Sequence, residues 1–317
     1  MAIKVFIDGK EGTTGLRIFD RLDGRNDISM LILPDDKRKD PAARRECLHE
    51  ADIAILCLPD AAAKESVDLS KGSKARILDT STAHRTHPDW VYGFPELSAY
   101  QREAIMSGRR VAVPGCHASG FIALVAPLVK LGLIPGDTLL TCFSLTGYSG
   151  GGKKMIAEYE SQDRSVLLNS PRQYGLTQQH KHLPEMQHIS GLAEAPVFAP
   201  VVADFYSGME VTIPLFRSQL NCGQHPVEEL TQALQQHYSG SSVIKVLAPE
   251  EVTTMNGFVA SNALSGYDGM ELMVLGNDER LQLVARFDNL GKGSSGAALQ
   301  CLNLMLGLEE TLGLNLA

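Results

Sequence analysis

The chain has 317 residues, of which 44% are hydrophobic and 21% are charged, and its formal net charge is −8. This composition is typical of a soluble globular enzyme, and the length allows two domains. The acidic balance argues against binding to nucleic acids or to anionic membranes. No apolar run is long enough to span a bilayer.

The cysteine pattern and the N-terminus predict a reducing, cytoplasmic location. Six cysteines are scattered along the chain without a C-x-x-C pair, which favours reduced thiols over a disulfide framework. Residues 1–5 read as the start of a strand and lack the anatomy of a signal peptide. No metal is predicted, because His180 and His182 lie two positions apart without a third ligand at a suitable spacing.

The first third of the chain alternates short apolar strands with helical stretches. Strands are predicted at residues 4–8, 30–33, 52–58, 76–79 and 111–113, and helices at 14–22 and 44–50. Continuous apolar strands separated by helices are typical of a parallel sheet covered on both faces. The predicted fold class is therefore α/β, with a Rossmann-like, doubly wound dinucleotide-binding domain.

A glycine-rich loop follows the first strand and opens the first helix. It contains Gly9, Gly12, Thr13, Thr14 and Gly15, in the spacing G-x-x-G-x-x-G rather than the better-known G-x-G-x-x-G. Glycines let the backbone approach a pyrophosphate, and the helix N-terminus supplies N–H donors. The position directly after a strand favours a dinucleotide site over a tight turn.

The end of the second strand bears on which dinucleotide binds. Acidic residues at 35–36 resemble the group that bonds the ribose 2′-hydroxyl of NAD. The basic cluster Lys37, Arg38 and Lys39 could instead hold the 2′-phosphate of NADP, or could be a solvated loop. The sequence leans toward NADP(H).

The tripeptide 114–116 (Pro-Gly-Cys) joins an apolar strand to a helical stretch predicted over residues 118–131. A thiol at a helix N-terminus is favoured as the thiolate, which is the nucleophilic form. Cys116 is therefore a candidate nucleophile, with a buried structural cysteine as the alternative.

The rest of the chain is richer in strands. Strands are predicted at residues 138–146, 211–216, 242–247, 271–275 and 280–287. Their alternating pattern favours an α+β domain with a mainly antiparallel sheet. A final apolar helix over 294–311 can return to the first domain. The predicted domains are 1–115 plus about 292–317 for NADP binding, and 116–291 for catalysis and dimerisation.

Histidines and a carboxylate cluster at residues 180–185 (HKHLPE). Glu185 lies three positions after His182, so its carboxylate can reach back to orient or charge an imidazole. A histidine with a carboxylate near a thiol is a nucleophile–base–orienter arrangement. His180 is the rival base, a surface-loop histidine is the alternative for both, and His117 could perturb the thiolate.

Eight motifs, in order, resemble those of the N-acetyl-gamma-glutamyl-phosphate reductase family, in its shorter branch, which is related to aspartate-semialdehyde dehydrogenase. The motifs are IDGKEGTTG (7–15), CLP (57–59), DTSTAHR (79–85), YGFPEL (92–97), VPGCHASG (113–120), SGGGK (149–153), HKHLPE (180–185) and DNLGKGSSG (288–296). The motif DTSTAHR departs from the longer branch, which tends to have Asp-Phe where Ala83 and His84 stand.

The resemblance implies acyl-phosphate chemistry in arginine biosynthesis. Cys116 would attack N-acetyl-glutamyl phosphate and expel inorganic phosphate, and NADPH would reduce the resulting thioester to the semialdehyde. The family pattern H-x-P-E assigns the general acid/base to His182, with Glu185 as its partner. The resemblance also implies a homodimer or homotetramer. The alternatives are another acyl-phosphate reductase, such as aspartate-semialdehyde dehydrogenase, and a non-catalytic dinucleotide-binding redox sensor.

Further binding residues follow from the same motifs and from the need for fixed cations. Residues predicted to contact the cofactor, beyond the first glycine loop, are Pro59, Ser81, Gly150, Gly152 and Asn289. Residues predicted to contact the substrate are Arg85, Ser149 and Lys153, with Arg286 and Lys292 as further cations. Surface salt bridges are the alternative for each basic residue.

Overall fold

The computed structural model describes residues 2–253 and 255–316, without the side chain of Thr253. The chain folds into two compact units. The first unit is Met1–Pro114 with Ser294–Gly313, and the second is Gly115–Gly293 with Leu314–Ala317.

The first unit is built on a parallel sheet. Its strands are β1 (Ile3–Asp8), β2 (Ile28–Leu31), β3 (Ile53–Leu56), β4 (Arg76–Asp79), β5 (Val91–Tyr92) and β6 (Arg110–Ala112). The strand order is β2-β1-β3-β4-β6-β5, and all five pairings are parallel. The chain first places β2 on one side of β1 and then crosses over to place β3 on the opposite side of β1. This reversal creates the crevice at the carboxyl ends of strands where doubly wound folds bind ligands.

Helices accompany this sheet in the first unit. They are α1 (Thr13–Leu22), α2 (Pro41–Glu50), α3 (Asp60–Leu69), α4 (Ala99–Ser107) and a returning helix, Gly296–Met305. The core between layers is mainly aliphatic, with Phe6 and Trp90 as aromatic members, and all of β3 is buried. This architecture confirms the Rossmann-like α/β prediction. Strand β3 has only apolar side chains because a strand that is covered on both faces buries all of them.

Several predicted boundaries in this unit were wrong. Strand β2 lies two residues earlier than 30–33, and β3 ends at Leu56 because the chain turns before Pro59, which caps α3. Sequence analysis missed α3 and α4. Helix α3 has only a weak apolar stripe, with Ala63 and Ser66 as its buried residues, so its periodicity is faint.

The second unit is built on a seven-stranded mixed sheet. Its strands are β7 (Thr141–Gly147), β8 (Arg172–Gln173), β9 (Val197–Ala203), β10 (Met209–Phe216), β11 (Ile244–Val246), β12 (Met270–Gly276) and β13 (Arg280–Phe287). The order is β11-β12-β13-β10-β7-β9-β8. Four neighbouring pairs are antiparallel and two are parallel, which confirms a mainly antiparallel sheet.

The helices of the second unit are α5 (Cys116–Lys130), α6 (Gly152–Glu160), α7 (Leu183–Ser190), α8 (Pro226–Tyr238) and α9 (Pro249–Thr253). Helix α5 is almost entirely buried and packs against β10, β13, α7 and α8. It begins at Cys116, two residues before the predicted start. The central helix of this unit therefore starts at the candidate nucleophile.

Among residues 2–253 and 255–316, no helix combines the length and the apolar character that crossing a membrane requires. The same described residues contain no group of three histidine, cysteine or carboxylate side chains arranged to hold a metal ion. None of the six cysteines forms a disulfide. The cytoplasmic location stays a prediction.

Candidate active site

Cys116 is the first residue of α5 in the second unit. Gly115 caps the helix with extended backbone angles, and its carbonyl accepts the N–H of Ser119 at 2.8 Å. The thiol is half-buried. A Cβ built on Gly293 would lie only 2.9 Å from the Cβ of Cys116, so this glycine allows the chain to pass close to the cysteine. The helix dipole of α5 favours a negative charge at this position.

Glu185 connects the start of α7 to the start of α5. Its side chain is 1% exposed, and its Oε1 accepts a hydrogen bond from the Gly115 N–H at 2.8 Å. Pro184 occupies the first turn of α7, where its missing N–H costs nothing, and Gly191 ends the helix with φ of +73°. The carboxylate therefore holds the backbone residue that precedes Cys116.

Three histidine rings gather beside Cys116. The ring of His117 lies 5.6 Å from that of His182 and 5.7 Å from that of His180, and the latter two rings are 4.8 Å apart. Phe198 on β9 packs edge-on against His117 and His180. The arrangement brings both predicted base candidates next to His117, the residue that follows Cys116.

The environment keeps two of these histidines neutral. Burial, with the nearby His180 and Lys181, lowers the pKa of His117 to about 3. Burial and Lys181 lower the pKa of His180 to about 4. The Nδ1 atom of His180 accepts the backbone N–H of His182 at 3.2 Å, as a neutral ring can. His182 is 5% exposed and precedes α7 as its N-cap residue.

Sequence analysis missed two residues of this cluster. Tyr174 contacts His117 on one side, and Ser144 on β7 contacts it on the other. Neither residue lies in a recognised motif, and each reaches the site through a different part of the second sheet. The one available signal was the alternation of β7, which places Ser144 on its buried face.

The second glycine loop also belongs to this unit and lies against Asn289. The Asn289 amide donates to Ser149 Oγ at 3.0 Å, and its carbonyl accepts the Gly208 N–H at 2.9 Å. Gly152 has φ of +72° and starts α6, a conformation that favours glycine. Four predicted residues, Ser149, Gly150, Gly152 and Asn289, are thus brought together.

The candidate cations of this unit differ in their surroundings. Arg286 is paired with Glu271, with Nε 3.0 Å from Oε2, so its guanidinium is committed to the sheet. Lys292 is 1% exposed, in the turn that precedes Gly293. Lys153 is exposed near the start of α6. Lys292 directly precedes Gly293, whose backbone passes close to Cys116.

The first glycine loop, in the first unit, is shaped by close backbone contacts. Gly9 has φ of +87°, and a Cβ there would overlap the Cys57 carbonyl oxygen. A Cβ on Gly15 would lie 2.5 Å from the Gly9 carbonyl oxygen. Gly12 is the N-cap of α1 and has no side chain that could fill the space in front of the helix. The loop thus forms a cradle that side chains would occlude.

The same loop contains two threonines. The Oγ1 atom of Thr13 is buried and has no hydrogen-bond partner among the described residues, 2–253 and 255–316. The Oγ1 atom of Thr14 lies 3.0 Å from Ser294 Oγ. A buried hydroxyl without a protein partner indicates a place for a ligand atom.

A cavity of about 540 Å³ opens at the carboxyl ends of β1, β2 and β3. Gly9, Lys10, Pro59, Arg38 and Lys39 are among the residues that line it. The Asp8 carboxylate beneath is held by the buried Arg44, whose Nη2 lies 3.1 Å away. The predicted glycine loop and two of the three predicted basic residues therefore border one cavity within the first unit.

The motif DTSTAHR forms a separate network in the first unit. The Asp79 carboxylate accepts from Ser81 Oγ at 2.7 Å and lies 2.6 Å from His84 Nδ1, and His84 stacks on Trp90. Arg85 is buried and donates to the carbonyls of Val113 and Thr80. Both residues predicted to bind ligands here, Ser81 and Arg85, have structural contacts at the strand ends.

Comparison with known proteins identifies the family. Relatives from Brucella ovis and Brucella canis, named N-acetyl-gamma-glutamyl-phosphate reductase, are each 46% identical over 97% of this chain and 100% of their own. The chain belongs to the N-acetyl-gamma-glutamyl-phosphate reductase family. The family models "semialdehyde dehydrogenase, dimerisation domain" and "semialdehyde dehydrogenase, NAD binding domain" match residues 116–289 and 34–105.

Solved structures resemble this reductase-family chain in fold. Aspartate semialdehyde dehydrogenase II of Vibrio cholerae, complexed with ASA, has a TM-score of 0.72 at 13% identity and covers 97% of this chain and 99% of its own. The enzyme from Francisella tularensis has a TM-score of 0.72 at 16% identity, covering 96% and 100%. The Candida albicans enzyme with NADP has a TM-score of 0.66 at 15% identity, covering 96% and 99%. At these identities the likeness shows the fold alone.

Proposed function

We propose that this chain reduces N-acetyl-L-glutamyl 5-phosphate to N-acetyl-L-glutamate 5-semialdehyde and phosphate, with NADPH as the reductant, in arginine biosynthesis. The Brucella relatives, which match this chain over their whole length at 46% identity, are named for this reaction. The observation that carries the proposal is the position of Cys116 at the first residue of α5, with Glu185 bound to Gly115 and His182 in the adjacent cluster.

Cys116 acts as the nucleophile. Its sulfur attacks the acyl carbon, the bond to the phosphate oxygen breaks, and inorganic phosphate leaves with the electron pair. The product is a thioester, which accepts hydride more readily than a carboxylate does. When bound, NADPH supplies that hydride. The sulfur is then the leaving group when the semialdehyde forms.

His182 acts as the general acid and base. It takes the proton of the thiol, donates it to the oxygen of the reduced carbon, and takes it back when the C–S bond breaks and the aldehyde forms. Its near-complete burial and its place at the N-terminus of α7 fix the ring in the histidine cluster. His180 and His117 are poor candidates for this role, because with pKa values of about 4 and about 3 they hold no proton near pH 7.

Glu185 holds the start of α5. Its hydrogen bond to the Gly115 N–H fixes the residue before the nucleophile. This contact adds to the predicted role of Glu185, which is to orient or charge the His182 imidazole. The buried carboxylate is well suited to serve both the backbone and the base.

We assign NADP(H) to the cavity of the first unit. Gly9, Gly12 and Gly15 leave space for a pyrophosphate, and Thr13 offers a buried hydroxyl. Arg38 and Lys39 line the cavity at the end of β2, where a 2′-phosphate would bind. We expect Arg38→Ala to weaken NADPH binding about tenfold or more and NADH binding little, as measured by fluorescence titration. Equal losses for both would contradict this assignment.

Substrate recognition needs fixed positive charge. Lys153, Ser149 and the buried Lys292 belong to the unit that carries Cys116, which supports them as contacts to the substrate phosphate or carboxylate. Arg85 keeps this role as a prediction, although two of its donors bind backbone carbonyls. Ser81 and Asn289 keep their predicted roles at the cofactor.

The test is phosphate-dependent reduction of NADP by N-acetyl-glutamate semialdehyde, which runs the reaction backwards. We expect activity in the wild type and a loss of at least about a thousandfold in Cys116→Ser. If aspartate semialdehyde is the better substrate, the chain is a sibling enzyme. If no semialdehyde reacts while NADP still binds, the redox-sensor alternative replaces the proposal.

We also propose that the chain forms a homodimer or homotetramer through the outer face of the second sheet. Strand register places Phe143 on β7, Val197 on β9 and Phe216 on β10 on the same face. Their exposed fractions are 43%, 61% and 61%. A cluster of large exposed apolar side chains on one sheet face is typical of an interface.

A further inference from the structure

His180, which lies just before α7, holds the first turn of that helix. Its ring Nδ1 accepts the backbone N–H of His182 at 3.2 Å, and its carbonyl oxygen accepts the N–H of Leu183 at 3.0 Å. The first four N–H positions of a helix, here those of residues 182–185, have no acceptor within it, and Pro184 carries no N–H. His180 therefore satisfies two of the three donors that remain, leaving that of Glu185.

Ring packing fixes the direction in which the His180 nitrogen points. Phe198 on β9 packs against the His180 ring with centroids 5.0 Å apart, and the His117 ring lies 5.7 Å away at an interplanar angle of 87°. The ring of His180 in turn stands edge-on to the ring of His182, at 4.8 Å and 82°. His180 thus contacts both the backbone and the imidazole of His182.

The hydrogen bond requires a neutral His180 ring, because a protonated ring nitrogen cannot accept an N–H. Burial and the charge of Lys181 lower the pKa of His180 to about 4, so the ring is neutral near pH 7. Since Nδ1 is the acceptor, the single ring proton is on Nε2. His180 is therefore a permanent acceptor over the pH range in which a general base must gain and lose a proton.

We propose that His180 is a positioning residue, which aims the His182 imidazole through its hydrogen bond to the His182 backbone. The same turn of α7 carries Glu185, whose carboxylate accepts the Gly115 N–H, so the contact also supports the start of α5. A displacement of about 1 Å in a catalytic group can cost about a hundredfold in rate. The proposal rests on the proposed function, because it takes His182 as the general acid and base.

Two substitutions at His180 separate positioning from proton transfer. Asparagine keeps an acceptor, because its Oδ1 is bonded to Cγ as the histidine Nδ1 is, but it cannot exchange a proton near pH 7. Leucine removes the acceptor and keeps a side chain of similar size. We expect His180→Leu to lower kcat about 10–100-fold with little change in KM, and His180→Asn to retain kcat within about threefold.

Two further variants serve as controls in the same assay. His182→Asn removes the base itself, and we expect it to lose about 10²–10⁴-fold in kcat. His188→Leu makes the matched change at an exposed histidine in the last turn of the same helix, and it should keep the wild-type kcat. A His180→Asn kcat as low as that of His182→Asn would show that His180 transfers the proton itself and would overturn the proposal. This comparison holds even if His180→Leu does not fold.

Hydrogen–deuterium exchange of the backbone amides of residues 181–186 measures the contact without substrate or NADP. We expect exchange to be about fivefold faster or more in His180→Leu, and unchanged in His180→Asn and His188→Leu. Unchanged exchange in His180→Leu would overturn the proposal, as would wild-type kcat in that variant. If the wild type reacts with none of the semialdehydes, the proposed function fails, and the exchange rates alone decide whether His180 holds His182.

Discussion

At the scale of single residues, one buried carboxylate holds the backbone beside Cys116, the proposed nucleophile. The Glu185 side chain extends from α7 and accepts the backbone N–H of Gly115. This contact joins the start of α7 to the start of α5, whose first residue is Cys116. We propose that this buried acceptor contributes to both stability and catalysis. A variant that keeps the size of the Glu185 side chain but removes its charge can distinguish the two roles.

We expect Glu185→Gln to retain the hydrogen bond to Gly115 but to lose the negative charge. Its free energy of unfolding should stay within about 1 kcal/mol of wild type, while kcat falls by roughly 10²–10⁴-fold. Glu185→Ala leaves the Gly115 N–H without its partner and should also lose about 1–3 kcal/mol of stability. Urea unfolding and steady-state kinetics measure the two effects. Wild-type kcat in Glu185→Gln would contradict a role for the charge.

The buried histidines make the stability of the second unit depend on pH. The pKa of His117 is about 3 in the folded chain and near 6.5 when unfolded, so below pH 6.5 the unfolded state takes up a proton that the folded state does not. Stability is therefore complete above pH 6.5 and falls as the pH drops toward 3. His180 acts in the same direction, with less effect because solvent screens it.

We expect the free energy of unfolding to be roughly 2 kcal/mol lower at pH 5 than at pH 7 from His117 alone. Urea titrations at both pH values measure the difference. His117→Phe is the control, and its pH dependence should be shallower even though its stability at pH 7 is lower. An equal slope in the variant would show that other groups cause the pH effect.

At the scale of elements, the two glycine-rich loops differ in what their glycines do. In the first loop, Gly9 and Gly15 are required by close backbone contacts at the end of β1. In the second, Gly152 is required by its positive φ at the start of α6. Both loops follow strands and precede helices, which is the arrangement that exposes helix N-termini to ligands.

We expect Gly9→Ala to lower the free energy of unfolding by roughly 3 kcal/mol, because the residue is strained at φ of +87° and its methyl would overlap Cys57. Gly24→Ala is the matched control, since Gly24 has φ of +82° with nothing within 4 Å of the added methyl. It should lose only about 1 kcal/mol. NADPH affinity should fall in Gly9→Ala alone. Equal stability losses would show that the close contact is unimportant.

At the scale of the whole molecule, the chain returns to each unit after leaving it. Residues 294–313 rejoin the first unit, and residues 314–316 rejoin the second, where Asn315 and Asp268 exchange backbone and side-chain hydrogen bonds. The second unit also carries the exposed apolar face around Phe143. This face bears on assembly.

We expect Phe143→Glu to convert the oligomer to a smaller species, because a charge in an apolar interface cannot be solvated or paired. Light scattering after size-exclusion chromatography measures the mass. Tyr100→Glu is the control, as Tyr100 is 79% exposed on α4 of the first unit. An unchanged mass in Phe143→Glu would place the interface elsewhere.

The sequence by itself determined the parallel sheet, the first glycine loop and the candidate nucleophile. These are local features, since a strand, a turn and a helix start are each specified by neighbouring residues. Boundaries were less well determined. Helix α3 was missed because its apolar stripe is weak, and β9 because Pro200 interrupts its apolar run.

Only the tertiary structure decided the partners of the polar side chains. Glu185 binds Gly115, 70 positions away, Tyr174 contacts His117, and Arg286 pairs with Glu271 across β12 and β13. Such pairs form where strands and helices from distant parts of the chain meet. The burial that results sets the pKa values of His117 and Tyr174, and no local pattern encodes it.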